Sequence, residues 1–169
     1  MAGVDGFRHG IVDLLPLTEE YLRETLSWRN ADDVRIWFKS KNVIAWETHL
    51  IWYRNYCGIA TDQVFLARNV LSGELIGQLS VYNIKYSAGT AEIGRFIAAP
   101  NARGRGLMRL ACIALIEYCR IMLHLSNLYL EVLWNNARAI ALYNSLGFET
   151  SSEDGGVVRM ELHIGEKNV

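Results

Sequence analysis

Arg103-Gly104-Arg105-Gly106-Leu107-Met108 places two glycines and two arginines directly ahead of a long apolar-periodic run, with Arg109 following. Glycine lets a backbone turn sharply and approach a ligand closely. The first N–H groups of a helix have no internal partner, and with the helix dipole they form an anion site. A pyrophosphate suits such a site. Three arginines within seven residues supply a local charge that the near-neutral chain lacks overall. The spacing is neither Gly-x-x-x-x-Gly-Lys nor Gly-x-Gly-x-x-Gly, so neither of those nucleotide loops is present. A solvated basic turn before a helix is the competing reading.

A second group lies downstream. Asn136 stands where it can cap a helix, and Tyr143 follows seven residues later, two turns along, so both can face one groove. Ala139, Leu142 and Leu146 make the buried face of that helix, and a plain core tyrosine is the alternative for Tyr143. No Ser-His-Asp grouping stands out, and Cys57, Cys112 and Cys119 sit in no nucleophile motif. His49 has the ordinary titration range for proton transfer, although a histidine among tryptophans more often packs.

The elements that must hold these residues follow from periodicity. Ile11 to Leu15 is a first strand ended by Pro16, and Thr18 with Glu19 and Glu20 predicts a capped helix start. Helical pieces follow from Tyr21 to Cys57, holding four of the five tryptophans; at least half of those are expected in the core. Val64 to Ala67, Leu75 to Val81 and Ala91 to Ala98 read as an antiparallel meander. Leu107 to Leu123 is a long helix, Leu128 to Leu133 a strand, Ala137 to Leu146 a helix with Gly147 as its C-terminal cap, and Val157 to Ile164 a last strand after a Ser-Ser-Glu-Asp-Gly-Gly turn. The order predicts an α/β protein with a mixed sheet and helices on both faces.

The 169 residues suit one domain, read as 11–165 behind a disordered leader at 1–10. Hydrophobic residues at 51% and charged residues at 21% exclude a disordered chain, and 17 basic against 18 acidic residues argue against nucleic-acid wrapping. An odd three cysteines at unrelated spacings, no apolar signal core and no membrane-length apolar run fit a reduced cytoplasmic protein.

The loop resembles the acetyl-CoA-binding motif of the GCN5-related N-acetyltransferase (GNAT) family, Arg/Gln-x-x-Gly-x-Gly/Ala. Arg103 takes its first position and Gly106 its central glycine, with Met108 where the family prefers Gly or Ala. Leu130 to Phe148 is similar throughout to the family's strand, Asn-x-x-Ala, Leu-Tyr and Gly-Phe signature. The resemblance spans Leu75 to Phe148 and implies a mostly antiparallel sheet splayed between its fourth and fifth strands. It implies acetyl-CoA as co-substrate and no metal, held by Phe96, Ile97, Ala98, Arg103, Gly104, Arg105, Gly106, Leu107, Met108 and Asn136. Backbone N–H groups of Phe96 to Ala98 would meet the acetyl carbonyl, Tyr143 would protonate the leaving thiolate, and Glu92 would take the amine proton. Ordered water in place of Glu92, or a structural role for it, stays open, as does His49 as base.

The N-terminal helical segment carries acceptor specificity in that family. Arg29, Asn30, Trp37 and His49 are its candidate acceptor residues here, since aromatic faces stack on rings and arginine meets phosphate. The set resembles acetyltransferases acting on nucleotide-linked amino sugars, those of the pseudaminic-acid pathway included. A UDP-linked 4-amino-4,6-dideoxy sugar is therefore the expected acceptor. Peptide N-termini, aminoglycosides and a non-catalytic acyl-CoA sensor are the alternatives. The tryptophan-rich segment is also a candidate homodimer contact, with neither nucleic acid nor membrane expected as partner.

Overall fold

How many faces of a strand are covered decides whether its burial alternates or fills. The computed structural model of the protein describes residues 6–165. Its strands are β1 (Phe7–His9), β2 (Val12–Pro16), β3 (Gln63–Asn69), β4 (Leu75–Lys85), β5 (Thr90–Ala98), β6 (Asn127–Leu133), β7 (Glu149–Asp154) and β8 (Val157–His163). Its helices are α1 (Leu22–Asn30), α2 (Asp32–Arg35), α3 (Trp46–Tyr56), α4 (Leu107–Ile121) and α5 (Ala137–Ser145). The sheet runs β1-β2-β3-β4-β5-β6-β8-β7. Val64 to Ala67 of β3 and Ile76 to Val81 of β4 are buried without alternation, as strands covered on both faces are. α4 lies across β1, β2 and β4, while α1 packs against α3 and β5. The buried stripe Ala111, Cys112, Ala114, Leu115, Tyr118 and Cys119 has the helical period that docks α4 on the sheet.

Three expectations differ from the structure. Phe7–His9, read as leader, pairs with β2, and the Arg8–Asp13–Arg68 ion pairs lace β1, β2 and β3 together; Met1 to Asp5 lie outside the described residues. Thr18 makes no side-chain cap: Glu19–Tyr21 forms a single 3-10 turn and α1 begins after it. The Ser-Ser-Glu-Asp stretch is strand β7 rather than turn; every residue of it is exposed, so no apolar alternation marks it.

The site is prepared where β5 meets β6. These strands pair in parallel at Thr90↔Asn127, Ala91↔Leu128 and Glu92↔Tyr129, then separate, while β6 stays paired with β8 as far as Leu133. This is the splay expected between the fourth and fifth strands, displaced by one because β1 adds a strand. Two bulges bend β4 and β5. Gln78↔Ile97 is followed by Ser80↔Gly94, so β5 carries an extra residue there, with Arg95 at φ 54°. Tyr82↔Glu92 is followed by Lys85↔Thr90, so β4 carries the extra one, with Asn83 at φ 51°.

Gly77 opposite Ala98 lets β5 close in, because a Cβ there would strike the Ile97 carbonyl oxygen. Gly77→Ala is expected to cost about 3 kcal/mol in chemical unfolding, as overpacking against rigid backbone does. Gly10→Ala, with open space around it but left-handed backbone at φ 55°, tests the contrast and should cost only the backbone strain, about 1–2 kcal/mol.

Candidate active site

A groove of about 900 Å³ follows the opening between β5 and β6, and its floor and walls come from β4, β5, β6, the α2–α3 segment, the 103–109 loop and α5. Past Glu92 the β6-facing side of β5 has no strand partner among the described residues, so its backbone polar groups face the groove. Gly104 and Gly106 both adopt left-handed backbone, at φ 72° and 71°, and Gly106 turns the chain into α4. The first turn of α4 has no acidic residue, leaving its positive dipole end free for an anion.

The expected cofactor residues converge. Phe96, Ile97, Ala98, Arg103, Gly104, Gly106, Met108 and Asn136 line the groove. Leu107 packs against the core instead, and Arg105 turns away to Asn101 O at 3.2 Å and Glu74 at 3.5 Å. Asn136 caps α5 as expected, its Oδ1 accepting from Ala139 N at 3.2 Å, and Gly147 follows that helix at φ 91°. Arg109 lines the groove and ties α4 to α5 through Ser145 O at 3.2 Å.

Tyr143 reaches the same groove from α5, with 9% of its surface exposed and its ring 5.8 Å from that of Phe96. Burial pushes its hydroxyl well above the ordinary range, with Cys112 and Tyr82 adding to the effect. It therefore stays protonated and can donate. Burial pushes Cys112 up to about 12, leaving an inert thiol.

Glu92 lines the groove from β5, with Tyr82 Oη donating to one of its oxygens at 2.9 Å and Asn83 Nδ2 to the other at 2.9 Å. Arg95 stacks 4.1 Å over the Tyr82 ring and pairs with Asp62 at 2.8 Å. Tyr82, Asn83, Arg95 and Arg138 were not legible as groove residues from sequence. The hairpin around Tyr86 to Gly89 hints that Tyr82 faces Glu92, but the bulge between them hides the register.

The acceptor candidates divide. Arg29 and Trp37 line the groove; Asn30 and His49 do not. Asn30 exchanges two 2.9 Å hydrogen bonds with the Ile44 backbone, which folds the 36–44 segment back toward α1. Of the tryptophans at 28, 37, 46 and 52, Trp28 is buried, Trp46 and Trp52 pack on the core, and Trp37 is 40% exposed. Arg29 is 9% exposed; Nη2 donates to Ser40 O, the guanidinium stacks 4.1 Å over Phe38, and Nη1 has no partner among the described residues. Burial lowers its affinity for the proton, and neighbouring Arg35 adds to that strain. Two ion pairs tie this segment to the rest of the groove: Asp33 to Arg103, and Lys39 to Glu131 at 3.0 Å.

The sequence model described as the acetyltransferase (GNAT) family matches residues 31–148. Spermidine N(1)-acetyltransferase of Escherichia coli K12 is 29% identical over 143 residues, 84% of this chain and 75% of that protein. Spermidine N-acetyltransferase from Vibrio cholerae, solved with CoA and spermine, superimposes with a TM-score of 0.82 at 22% identity, covering 90% and 95% of the two chains. The N-acetyltransferase PseH of Campylobacter jejuni superimposes at 0.71 with 20% identity, covering 91% and 99%. Among the described residues, no helix is long and apolar enough to cross a membrane.

His49 belongs to the frame rather than the groove. It is 8% exposed, stacks on Trp52 at 5.1 Å, and its Nε2 has no partner among the described residues. Burial holds its pKa below the ordinary 6.5. Below that value the unfolded chain takes a proton that the folded one refuses, so stability falls as pH falls. Between pH 7 and 5, His49→Leu is expected to flatten the fall in melting temperature relative to the parent chain, measured by calorimetry.

Proposed function

The chain belongs to the acetyltransferase (GNAT) family and is an acetyl-CoA-dependent N-acetyltransferase, and from that premise we propose that its acceptor is a primary amine carried on an anionic small molecule, a UDP-linked 4-amino-4,6-dideoxy sugar. The buried guanidinium of Arg29 carries this reading. A desolvated cation with an unsatisfied donor is costly unless an anion completes it, and the neighbouring charge that adds to its lowered proton affinity, Arg35, is also positive. A diphosphate supplies that anion, and Trp37, exposed on the same groove, suits a base or sugar ring.

The reaction follows from groups lining the groove. The amine lone pair forms a C–N bond at the thioester carbonyl as the C–S bond breaks. Backbone N–H groups of Phe96 to Ala98 donate to the carbonyl oxygen while charge develops on it. Glu92 takes the amine proton, the Tyr143 hydroxyl protonates the departing sulfur, and solvent returns the proton from Glu92 to Tyr143. CoA's pyrophosphate lies on the Gly104–Gly106 turn and the first N–H groups of α4, with Arg103 alongside. No covalent enzyme intermediate is needed.

A polyamine acceptor is the second reading, favoured by the relatives' named substrate and by three groove carboxylates, Asp33, Glu92 and Glu131. CoA release, followed by thiol detection, decides between them across UDP- and TDP-linked 4-amino sugars, spermidine, aminoglycosides and short peptides. The nucleotide sugar is expected to have the highest kcat/KM, and Arg29→Gln to raise its KM roughly tenfold without altering that for acetyl-CoA. Tyr143→Phe should lower kcat on the order of a hundredfold with acetyl-CoA affinity retained. Highest kcat/KM on spermidine, unchanged in Arg29→Gln, transfers the conclusion to polyamines.

A further inference from the structure

Both oxygens of Glu92 are engaged, and both donors come from the neighbouring strand at a point where that strand is distorted. We propose that Tyr82 and Asn83 are positioning residues for Glu92, fixing its carboxylate in the groove at the angle from which it receives the acceptor's proton. The proposal rests on the reading of Glu92 as the group that takes that proton.

Four observations converge on it. Tyr82 stands directly across from Glu92 in the β4–β5 register, and its hydroxyl lies 2.9 Å from one carboxylate oxygen. Asn83, the next residue, reaches the other oxygen at 2.9 Å because the bulge begins there. In a regular strand, neighbouring side chains point to opposite faces, so the two cannot serve one carboxylate. The left-handed φ of 51° at Asn83 is the distortion that brings both to Glu92.

The second distortion supports the first. Arg95, at φ 54°, lays its guanidinium over the Tyr82 ring at 4.1 Å and is pinned by both oxygens of Asp62, at 2.8 and 2.9 Å. Gly94 leaves the space for the Tyr82 hydroxyl, since a Cβ there would come within 2.7 Å of it. Burial and the Glu92 carboxylate both raise the Tyr82 pKa, so its hydroxyl remains a donor. Non-glycine residues in left-handed backbone persist where the surroundings over-determine them, and such residues cluster at functional sites. Here two of them, on facing strands, act on one carboxylate and its partner.

The test is a set of double-mutant cycles measured by CoA release, using both the UDP-linked 4-amino sugar and spermidine as acceptors. Tyr82→Phe keeps the ring beneath Arg95 and removes the donor. Asn83→Gly removes the amide and leaves a residue that adopts left-handed backbone freely, so it carries the test if Tyr82→Phe misfolds. Each is expected to lower kcat roughly tenfold, with KM for acetyl-CoA within about twofold. Combined with Glu92→Gln, neither should lower kcat further, because both act through that carboxylate. Undiminished effects in the Glu92→Gln background, or full kcat in Asn83→Gly, overturn the positioning role and leave the reading of Glu92 intact. Full kcat in Glu92→Gln itself overturns that reading, and the positioning role with it.

Discussion

The early end of the β5–β6 ladder governs the rest of the molecule. A parallel strand pair buried in a sheet ordinarily satisfies its backbone along its whole length. Here the pairing stops at Glu92, after three residue pairs, and the strands diverge into a groove. The cost of opening a sheet interior is offset by closely packed neighbours on both sides. β4 holds β5 through a register bent by two bulges, and β8 holds β6 through seven matched pairs. The opening thus has rigid lips, and backbone groups of β5 are presented in a fixed direction without a loop to carry them.

Charge is distributed around this opening according to what each part must hold. Glycines shape the 103–109 loop, arginines surround it, and no acidic residue stands in the first turn of α4. The acceptor side mixes signs: Arg29, Lys39, Glu92 and Glu131 all line the groove. Asp33 to Arg103 and Lys39 to Glu131 connect the 31–44 segment with the loop and with β6. Pairs this exposed contribute little stability, on the order of 1 kcal/mol or less each. Their consequence is geometric: the wall that faces the acceptor is tied to both sides of the split sheet.

Much of this was legible in the residues themselves. The 103–108 loop, the Asn136 cap, Tyr143 two turns later and Gly147 all depend on local chain chemistry, which sequence spacing records directly. Helix α4 announces itself by its apolar period, and strands β3 to β6 by their apolar runs between turn residues. Tyr82, Asn83 and Arg95 did not, because their roles arise from two one-residue bulges, and a bulge leaves no periodic trace in a strand. β7 was hidden for the opposite reason: an exposed polar edge strand looks like a turn. Asn30 and His49, expected at the acceptor, stand instead in the frame around its wall, because backbone hydrogen bonds hold the first and burial the second.

Amide hydrogen exchange with and without saturating acetyl-CoA tests the central claim most directly, since it reads the backbone on which the account depends. Protection is expected to rise at residues 93–98 of β5 and at the 106–109 turn, with little change in β1, β2 and β7. Tight binding of acetyl-CoA with no added protection at 93–98 would contradict the account, because the split sheet would then not be where the thioester lies.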